Sequence, residues 1–293
     1  MLEFRLNGKK LKNISREDGM PRIGMAGISV MLLPMRAAMA VAIDLGYEAF
    51  ELSGEFPQCL CDDVGPEERR LTRELVETSG LMVSVHAPFT SLNIAALNPG
   101  VRAESIRQVK AAIDLCADIG GRHVTIHNGD YILSRNFRRK IPEIARIQWD
   151  YNIESLKDIA AHGQERGIVL CLENIGFEHN TIDRSADDML AIRAAVDSPA
   201  LYFCIDIGHA RLNDELESVI EKLGPLTRHV HFTDNFGEVD DHLIIGTGNF
   251  DYAPVMDFLK HFKGPVILEV VKVGTDPAPA RKSLTHFKSL MDL

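Results

Sequence analysis

The chain has 293 residues, of which 45% are hydrophobic and 25% are charged. That composition is typical of a globular protein with a sizeable core, and the length fits one domain of barrel size, although two smaller domains would also fit it. The formal net charge of −10 disfavours extended binding to nucleic acid, because an acidic surface repels a polyanion. No apolar run approaches the roughly 20 residues that span a bilayer, so we expect no membrane association.

The first residues and the cysteines favour a cytoplasmic protein. Residues 1–13 contain neither a long apolar stretch nor a small-residue cleavage site, so they do not look like a signal peptide. The number of cysteines is odd, and at least two of them fall within predicted strands, which is typical of a reduced protein and not of a disulfide scaffold. The five are Cys59, Cys61, Cys116, Cys171 and Cys204.

The recurring unit along the chain is a short β-branched strand, a loop, an amphipathic helix, and a glycine or proline before the next strand. Eight strands are predicted, at 22–29, 48–53, 81–86, 122–127, 168–174, 201–206, 229–234 and 265–271. Several are nearly continuous apolar runs, as expected for parallel strands buried on both faces. Residues 1–21 precede them as an N-terminal extension, which we interpret as a strand or hairpin covering the bottom of the fold.

The clearest helices cover 34–46, 102–120 and 185–198. The first has Pro34 near its first turn and ends at Gly46, and the third begins with Ser185 as an N-cap and has acidic residues in its first turn. The longest insert, 128–150, follows the fourth strand and contains a basic cluster at 135–140.

Eight strands that alternate with helices favour a closed barrel over an open doubly wound sheet. No Gly-rich dinucleotide-binding fingerprint follows the first strand, which weakens the open-sheet alternative further. The predicted fold is therefore α/β, a single (β/α)₈ TIM barrel over residues 22–293 that follows the short N-terminal extension 1–21.

Six of the eight predicted strands end in, or contain, a residue able to bind a metal or move a proton. In chain order these residues are His86, His127, Glu173, Asp206, His231 and Glu269, and His209, Asp240 and His242 follow soon after the sixth and seventh strands. A single histidine at a strand end is more often an ordinary hydrogen-bonded residue. Active sites of this fold gather at the C-terminal ends of the strands, so the whole set predicts an active site there.

Three of these residues, Glu173, Asp206 and Glu269, are carboxylates within apolar segments. A buried carboxylate is costly unless it is paired or bound to a cation, and three that converge would repel one another. A divalent metal ion supplies the missing positive charge most simply. Mixed imidazole and carboxylate donors without a thiolate suit Zn²⁺, Mn²⁺, Co²⁺ or Fe²⁺ better than Ca²⁺.

Arg211 and two segments of the sequence could hold a phosphate group. The first segment is the basic cluster at 135–140, although a solvated helix start explains it more simply. The second is the segment GTGN at 246–249, whose backbone N–H groups could cradle a phosphate. A tight turn that presents Asp240 and His242 explains these glycines equally well.

Seven short motifs combine the candidate residues with their neighbours. They are VHAP (85–88), VTIHNGD (124–130), LEN (172–174), CIDIGHA (204–210), HVHFTDN (229–235), DDHLIIGTGNFDY (240–252) and ILEV (267–270). Taken in order, over roughly residues 22–292, they resemble the xylose isomerase-like barrels. That superfamily includes sugar-phosphate isomerases and epimerases and the endonuclease IV type of apurinic-site nucleases. The motifs are specific to the superfamily and much less specific to any one activity.

The resemblance implies two sets of metal ligands. In the epimerase branch, one divalent ion is held by residues of the last four strands, which correspond here to Glu173, Asp206, His231 and Glu269. In the nuclease branch, three zinc ions use those residues and five more, which correspond here to His86, His127, His209, Asp240 and His242. Matching residues occupy all of these positions, so we expect a divalent metal cofactor (Zn, Mn or Co), with one ion or up to three.

The first functional hypothesis is a metal-dependent aldose–ketose isomerase or ketose epimerase that acts on a sugar or a sugar phosphate. The metal would acidify the carbon-bound proton beside a carbonyl, and Glu173 and Glu269 would remove and return that proton through an enediolate. The residues expected to bind the substrate are His86, His127, His209 and Arg211.

The second hypothesis is a zinc-dependent phosphodiester hydrolase that acts at abasic DNA sites, in which the ions activate water. The acidic net charge and the acidic loop at 54–68 oppose it, because an enzyme that binds DNA should neutralise several phosphates. The expected partner is therefore a small sugar and not a nucleic acid. A dehydratase of the same barrel group, or a barrel that binds a sugar without turning it over, is a further alternative.

Overall fold

Eight parallel strands pair in chain order, and the first pairs with the last, so the sheet closes into a barrel. The computed structural model describes residues 20–177 and 179–293. The strands are β1 Arg22–Ala26, β2 Ala49–Ser53, β3 Met82–His86, β4 His123–Ile126, β5 Val169–Glu173, β6 Leu201–Asp206, β7 Thr227–Phe232 and β8 Pro265–Leu268. The structure confirms the predicted TIM-barrel fold. The predicted strand or hairpin at 1–21 lies outside the described residues, apart from Met20 and Pro21.

Helices surround the barrel on the outside of these strands. They are α1 Met35–Leu45, α2 Pro66–Ser79, α3 Pro99–Asp118, α4 Arg135–Arg138, α5 Pro142–Arg166, α6 Ala186–Val196, α7 Ile207–Leu212, α8 Leu216–Leu223, α9 Ala253–His261 and α10 Ala278–Leu290. Short 3₁₀ helices cover Gly27–Val30, Cys61–Asp63 and Gly224–Leu226. Within the described residues, no helix is both long enough and apolar enough to cross a membrane.

The three helices predicted from sequence are present, with ends that differ by one to three residues. Helix α3 starts earlier than predicted because the side chain of Asn98 accepts hydrogen bonds from the backbone N–H groups of Gly100 and Val101, at 2.9 and 3.3 Å. The insert after β4 is shorter than the predicted 128–150, because α5 already begins at Pro142. Proline at the first turn of a helix loses no hydrogen bond, which explains this start.

Alternate residues of β2 point to two different environments, the apolar layer between the strands and the helices and the interior of the barrel. Phe50 and Leu52 are fully buried and belong to the apolar layer between the strands and the helices. Glu51 lies between them in the sequence, and its carboxylate contacts Thr125 of β4 and His229 of β7. Because β2, β4 and β7 are not neighbours in the sheet, these contacts place the polar side chains inside the barrel. The barrel interior is therefore polar below its C-terminal mouth.

Candidate metal centre

Four side chains, one at or near the C-terminal end of each of the last four strands, converge at the mouth of the barrel. They are Glu173, Asp206, His231 and Glu269. All four are buried, and one donor atom from each lies within 4.8 Å of the others. The first two are the last residues of β5 and β6, His231 is the penultimate residue of β7, and Glu269 directly follows β8. The structure thus brings together the four residues that the sequence predicts as ligands of one ion.

Glu173 lies at the centre of this cluster. Its Oε1 is 2.9 Å from Nδ1 of His231, and its Oε2 is 2.9 Å from Nε2 of His127 and 3.2 Å from Nε2 of His86. Burial raises the pKa of Glu173, but the charge of His231 and the hydrogen bonds with the three histidines outweigh it and hold the pKa well below its ordinary value. This carboxylate is therefore ionised near neutral pH.

Asp206 has one carboxylate oxygen with a partner and one without. Its Oδ1 accepts a hydrogen bond from the backbone N–H of His209 at 2.7 Å, so Asp206 caps the start of α7. The side chain of Asn174 bonds the backbone of Asp206 at both its N–H and its carbonyl oxygen. The buried Oδ2 has no hydrogen-bond partner among the described residues and lies 4.0 Å from Nδ1 of His231. Such an oxygen is costly unless a cation faces it.

Two histidines present a lone pair to a carboxylate. Nδ1 of His86 and Nδ1 of His209 each lie 2.9 Å from a backbone carbonyl oxygen, which accepts only, so in the neutral ring both Nδ1 atoms carry the hydrogen. Nε2 of His86 then faces Glu173, and Nε2 of His209 faces Asp240 at 3.1 Å. Two lone pairs repel each other, so each contact requires a proton or a metal ion. An anchored second nitrogen is the usual arrangement of metal-binding histidines.

A second cluster adjoins the first and consists of His209, Asp240 and His242. Oδ2 of Asp240 lies 3.1 Å from Nε2 of His209 and 2.8 Å from Nε2 of His242. Nδ1 of His242 lies 3.6 Å from Oε2 of Glu269, which links the two clusters. Oδ1 of Asp240 and Nδ1 of His242 are buried and have no hydrogen-bond partner in the described part of the chain. The second cluster therefore has donors for another cation.

Charges in the two clusters shift the pKa values of Glu269 and His242, which lie where the clusters meet. Burial raises the pKa of Glu269 to about 7, and the charges of Glu173 and Asp206 add to this effect, while His231 and His242 oppose it. Burial lowers the pKa of His242, but its hydrogen bond to Asp240 and the nearby carboxylates outweigh it and raise the pKa to about 9. Without a metal, His242 therefore carries a proton near neutral pH, and Glu269 titrates in that range.

Aromatic and polar side chains that the sequence pattern does not predict line the cavity above the candidate metal centre. The ring of Phe89 lies 4.5 Å from that of His127 and 5.3 Å from that of His86, measured between centroids, and it forms an apolar wall. Asp130 and His179 also line the cavity. The position of Phe89, directly after the motif VHAP at a strand end, was the available signal.

Glu51 is a further residue that the sequence analysis missed. Its side chain lies beneath the cluster, 2% exposed, with Oε2 2.8 Å from Nε2 of His231. Burial raises the pKa of Glu51, but the charges of His231 and His229 outweigh it and lower the pKa well below its ordinary value. The available signal was the same as for Glu269, a carboxylate inside an apolar strand.

Arg211 lies away from the cavity that the histidines line. Its guanidinium donates to the carbonyl oxygen of Asn235 at 2.8 Å, bonds the side chain of Asn249 and lies 4.9 Å from the centroid of the Phe250 ring. In the structure, Arg211 therefore holds the loop that follows β7.

The two segments considered for phosphate binding also have partners of their own. The backbone N–H groups of Gly246 and Gly248 donate to Oδ2 of Asp234, at 3.0 and 2.8 Å. In the basic cluster, Arg138 bonds the carbonyl oxygen of Leu133 and the side chain of Asn180. The GTGN turn thus surrounds a carboxylate of the chain itself.

The chain is thus a closed (β/α)₈ barrel with carboxylates and histidines gathered at the C-terminal ends of its strands, which is the class of TIM barrels with a candidate metal site at that end. The family model described as "Xylose isomerase-like TIM barrel" matches residues 39–290. The chain therefore belongs to that family. The family includes different activities, so the comparisons with individual proteins matter for function.

The relatives include sugar epimerases and nucleases. The fructoselysine 3-epimerase of Shigella flexneri is 26% identical over 281 residues, which are 92% of this chain and 98% of that protein. A solved D-tagatose 3-epimerase-like protein has a TM-score of 0.79 at 25% identity, and the match covers 92% of this chain and 97% of that one. A probable endonuclease 4 of Mycobacterium leprae is 26% identical over 217 residues, which are 70% of this chain and 79% of that protein.

Proposed function

We propose that the protein is a metal-dependent sugar epimerase that moves a proton beside a ketose carbonyl. The observation that supports this most is the convergence of three carboxylates and one imidazole, with donor atoms within 4.8 Å of one another, at the mouth of the barrel. The sugar 3-epimerases among the relatives, which match nearly the whole chain, favour epimerisation over aldose–ketose isomerisation.

The residues proposed to hold one divalent ion are Glu173, Asp206, His231 and Glu269. The unpartnered Oδ2 of Asp206 and the repulsion between carboxylates fit a cation at this point, and oxygen and nitrogen donors without a thiolate suit Mn²⁺, Zn²⁺ or Co²⁺. When bound, the ion would polarise a substrate carbonyl and so acidify the adjacent C–H bond.

Glu173 and Glu269 are the proposed acid–base pair. Both line the cavity, and one oxygen of each lies within 4.8 Å of the other. Glu173 ends β5 and Glu269 directly follows β8, so they stand on opposite sides of the cluster. A substrate carbon between them would meet a carboxylate on either face. One carboxylate would remove the proton, and the other would deliver a proton to the opposite face of the enediolate. Proton delivery to the opposite face inverts the configuration at that carbon.

The cavity lining favours an unphosphorylated sugar. Among the described residues, no lysine or arginine side chain lines this cavity, whereas Asn128, Asp130 and Thr181 can bond hydroxyl groups. A phosphate would meet carboxylates there without a lysine or arginine counterion. The residues proposed to bond substrate oxygens directly are His86, His127 and His209. Arg211 would act on the substrate only through the loop that it holds.

A nuclease is the second candidate, and the adjoining cluster of His209, Asp240 and His242 is the observation that favours it. These residues have the donors for a second ion, and His86 and His127 at Glu173 have donors for a third. The probable endonuclease 4 among the relatives agrees with this possibility. The net charge of −10 and the absence of lysine and arginine side chains from the described part of the cavity lining oppose it.

The direct test is to incubate the protein, loaded with Mn²⁺, Co²⁺ or Zn²⁺, with ketoses and ketose phosphates and to separate the products by chromatography. We expect epimers of free ketoses and at least about tenfold slower turnover of the phosphates. Glu173→Gln and Glu269→Gln should each lower the rate by about 10²–10⁴-fold. Metal content must be measured for both variants, because both residues are proposed ligands.

A matched control is Asp241→Asn, which makes the same kind of change at an exposed position next to Asp240 and should keep wild-type turnover. Metal-dependent cleavage of abasic DNA without turnover of any ketose would contradict the proposed function and support the nuclease.

A further inference from the structure

Glu51 contacts the side of His231 that faces away from the proposed metal. Oε2 of Glu51 lies 2.8 Å from Nε2 of His231, within ion-pair distance, and neither atom makes a hydrogen bond to the described residues. The opposite nitrogen, Nδ1, lies 2.9 Å from Glu173 and 3.5 Å from Glu269. The imidazole of His231 is thus held between the proposed metal position and one carboxylate beneath it.

Three side chains from other strands fix the second oxygen of Glu51. Oε1 accepts a hydrogen bond from Oγ1 of Thr125 at 2.7 Å and a longer one from Oγ of Ser84 at 3.4 Å, and it lies 3.3 Å from Nε2 of His229. Thr125, Ser84 and His229 are all buried. Because Oε1 is held on three sides, the carboxylate has one orientation, in which Oε2 points at His231.

We propose that Glu51 is a positioning residue that orients His231 and sets its tautomer for metal binding. A carboxylate at Nε2 places the ring hydrogen there and leaves the Nδ1 lone pair facing the proposed ion. The negative charge also makes Nδ1 a stronger donor. This inference rests on the proposed metal site and assigns a role to a residue outside the proposed ligand set.

A purely structural role explains the arrangement less well. Burying a carboxylate in a barrel core is costly, and an apolar or amide side chain of similar size would fill the space at lower cost. The hydroxyl donors satisfy only Oε1, and the ion-pair contact of Oε2 is with His231. The charge of Glu51 is therefore directed to one partner, the only imidazole of the four-residue cluster.

The test is the affinity of metal-free protein for Mn²⁺ and Co²⁺ alone, measured by calorimetry and by the visible spectrum of Co²⁺. Glu51→Gln should bind both ions about 10- to 100-fold more weakly than the wild type and should change the Co²⁺ spectrum. Asp183→Asn is the matched control, because it makes a carboxylate-to-amide change at a residue that is 4% exposed and bonds Asn128. It should keep wild-type affinity.

Thr125→Val is a second variant that removes the shortest hydrogen bond to Oε1 but keeps the charge of Glu51, and it should weaken binding by a smaller factor. It also keeps the test decisive if Glu51→Gln does not fold. Wild-type affinity in Glu51→Gln, or in Thr125→Val when the first variant is unfolded, would overturn the role of Glu51 and leave the proposed epimerase intact. An equal loss in Asp183→Asn would also overturn it. A wild-type protein that binds neither ion would overturn both proposals.

Discussion

Asp183 is a buried carboxylate that lies outside the proposed metal centre. It is 4% exposed, and its Oδ1 accepts a hydrogen bond from the side chain of Asn128 at 2.9 Å. Burial raises the pKa of Asp183 to about 6, although hydrogen bonds to the carboxylate oppose the shift. Above that pH the folded protein contains a buried charge that is compensated by hydrogen bonds alone, so stability should depend on pH through this residue.

We expect Asp183→Asn to remove that dependence. Because the pKa is raised on folding, the stabilisation from this group is complete below about pH 3.8 and is lost as the pH rises to about 6. The free energy of unfolding of the variant, relative to the wild type, should therefore increase between pH 4 and 6 by up to about 3 kcal/mol and then stay level. Urea unfolding from pH 4 to 8 measures this difference, and a difference that does not change with pH would contradict the account.

At the scale of single residues, carboxylates in apolar strands were predictable and their partners were not. Glu173, Asp206 and Glu269 stand at strand ends, where the fold places active sites, so their convergence could be predicted. Glu51 is also a carboxylate in an apolar strand, but it lies in the middle of β2, and its importance depends on His231, far along the chain. Spacing does not reveal which side chains meet across the inside of a barrel.

At the scale of elements, the loop after β7 is organised by one carboxylate. Asp234 is 1% exposed, and its Oδ2 accepts hydrogen bonds from the backbone of Gly246 and Gly248, while Oδ1 accepts one from the backbone of Asn235. The loop closed by these bonds contains both Asp240 and His242. The carboxylate thus determines where the second cluster of donors lies.

Asp234→Ala should therefore loosen this loop. Three backbone donors lose a charged acceptor, which should lower the free energy of unfolding by at least about 2 kcal/mol. Hydrogen exchange of the amides at 240–249 should become faster, and it can be measured by mass spectrometry. Asp241→Ala, the same change at an exposed position of the loop, should shift stability by less than about 0.5 kcal/mol. Equal exchange in the two variants would contradict this role of Asp234.

The strands could be predicted from the sequence pattern, but the role of the glycine-rich turn could not. The strands could be predicted because parallel strands buried on both faces are apolar runs. The role of the GTGN segment could not, because a glycine-rich turn surrounds a bound phosphate and a carboxylate of the same chain in similar ways. The structure decides between them through the hydrogen bonds of Asp234.

For the whole molecule, barrel closure brings residues that are distant in sequence to one point. The four proposed ligands come from β5, β6, β7 and the residue after β8, so an ion held there would connect half of the barrel. Without a cation, carboxylates and unpaired polar atoms are buried together. Metal binding should therefore stabilise the fold as well as support the reaction.

We expect chelation to lower the melting temperature and Mn²⁺ to restore it. At a free ion concentration 100 times the dissociation constant, binding to the folded state adds about 2.7 kcal/mol, which corresponds to a rise of several degrees. Asp206→Asn keeps the oxygen that caps α7 but removes the charge, so this variant should show a much smaller rise. Calorimetry measures both, and an equal rise in the two proteins would place the stabilising ion elsewhere.

Proton transfer beside a carbonyl between Glu173 and Glu269 can be followed by incubating metal-loaded protein with a panel of ketoses in deuterated water. Nuclear magnetic resonance should show deuterium at the carbon next to the carbonyl of the substrate that turns over. Exchange should be absent from the metal-free protein, and Glu269→Gln reloaded with metal should lose it for the epimer whose proton Glu269 removes. If no ketose exchanges hydrogen while metal-loaded protein cleaves abasic DNA, the protein is not an epimerase of this kind.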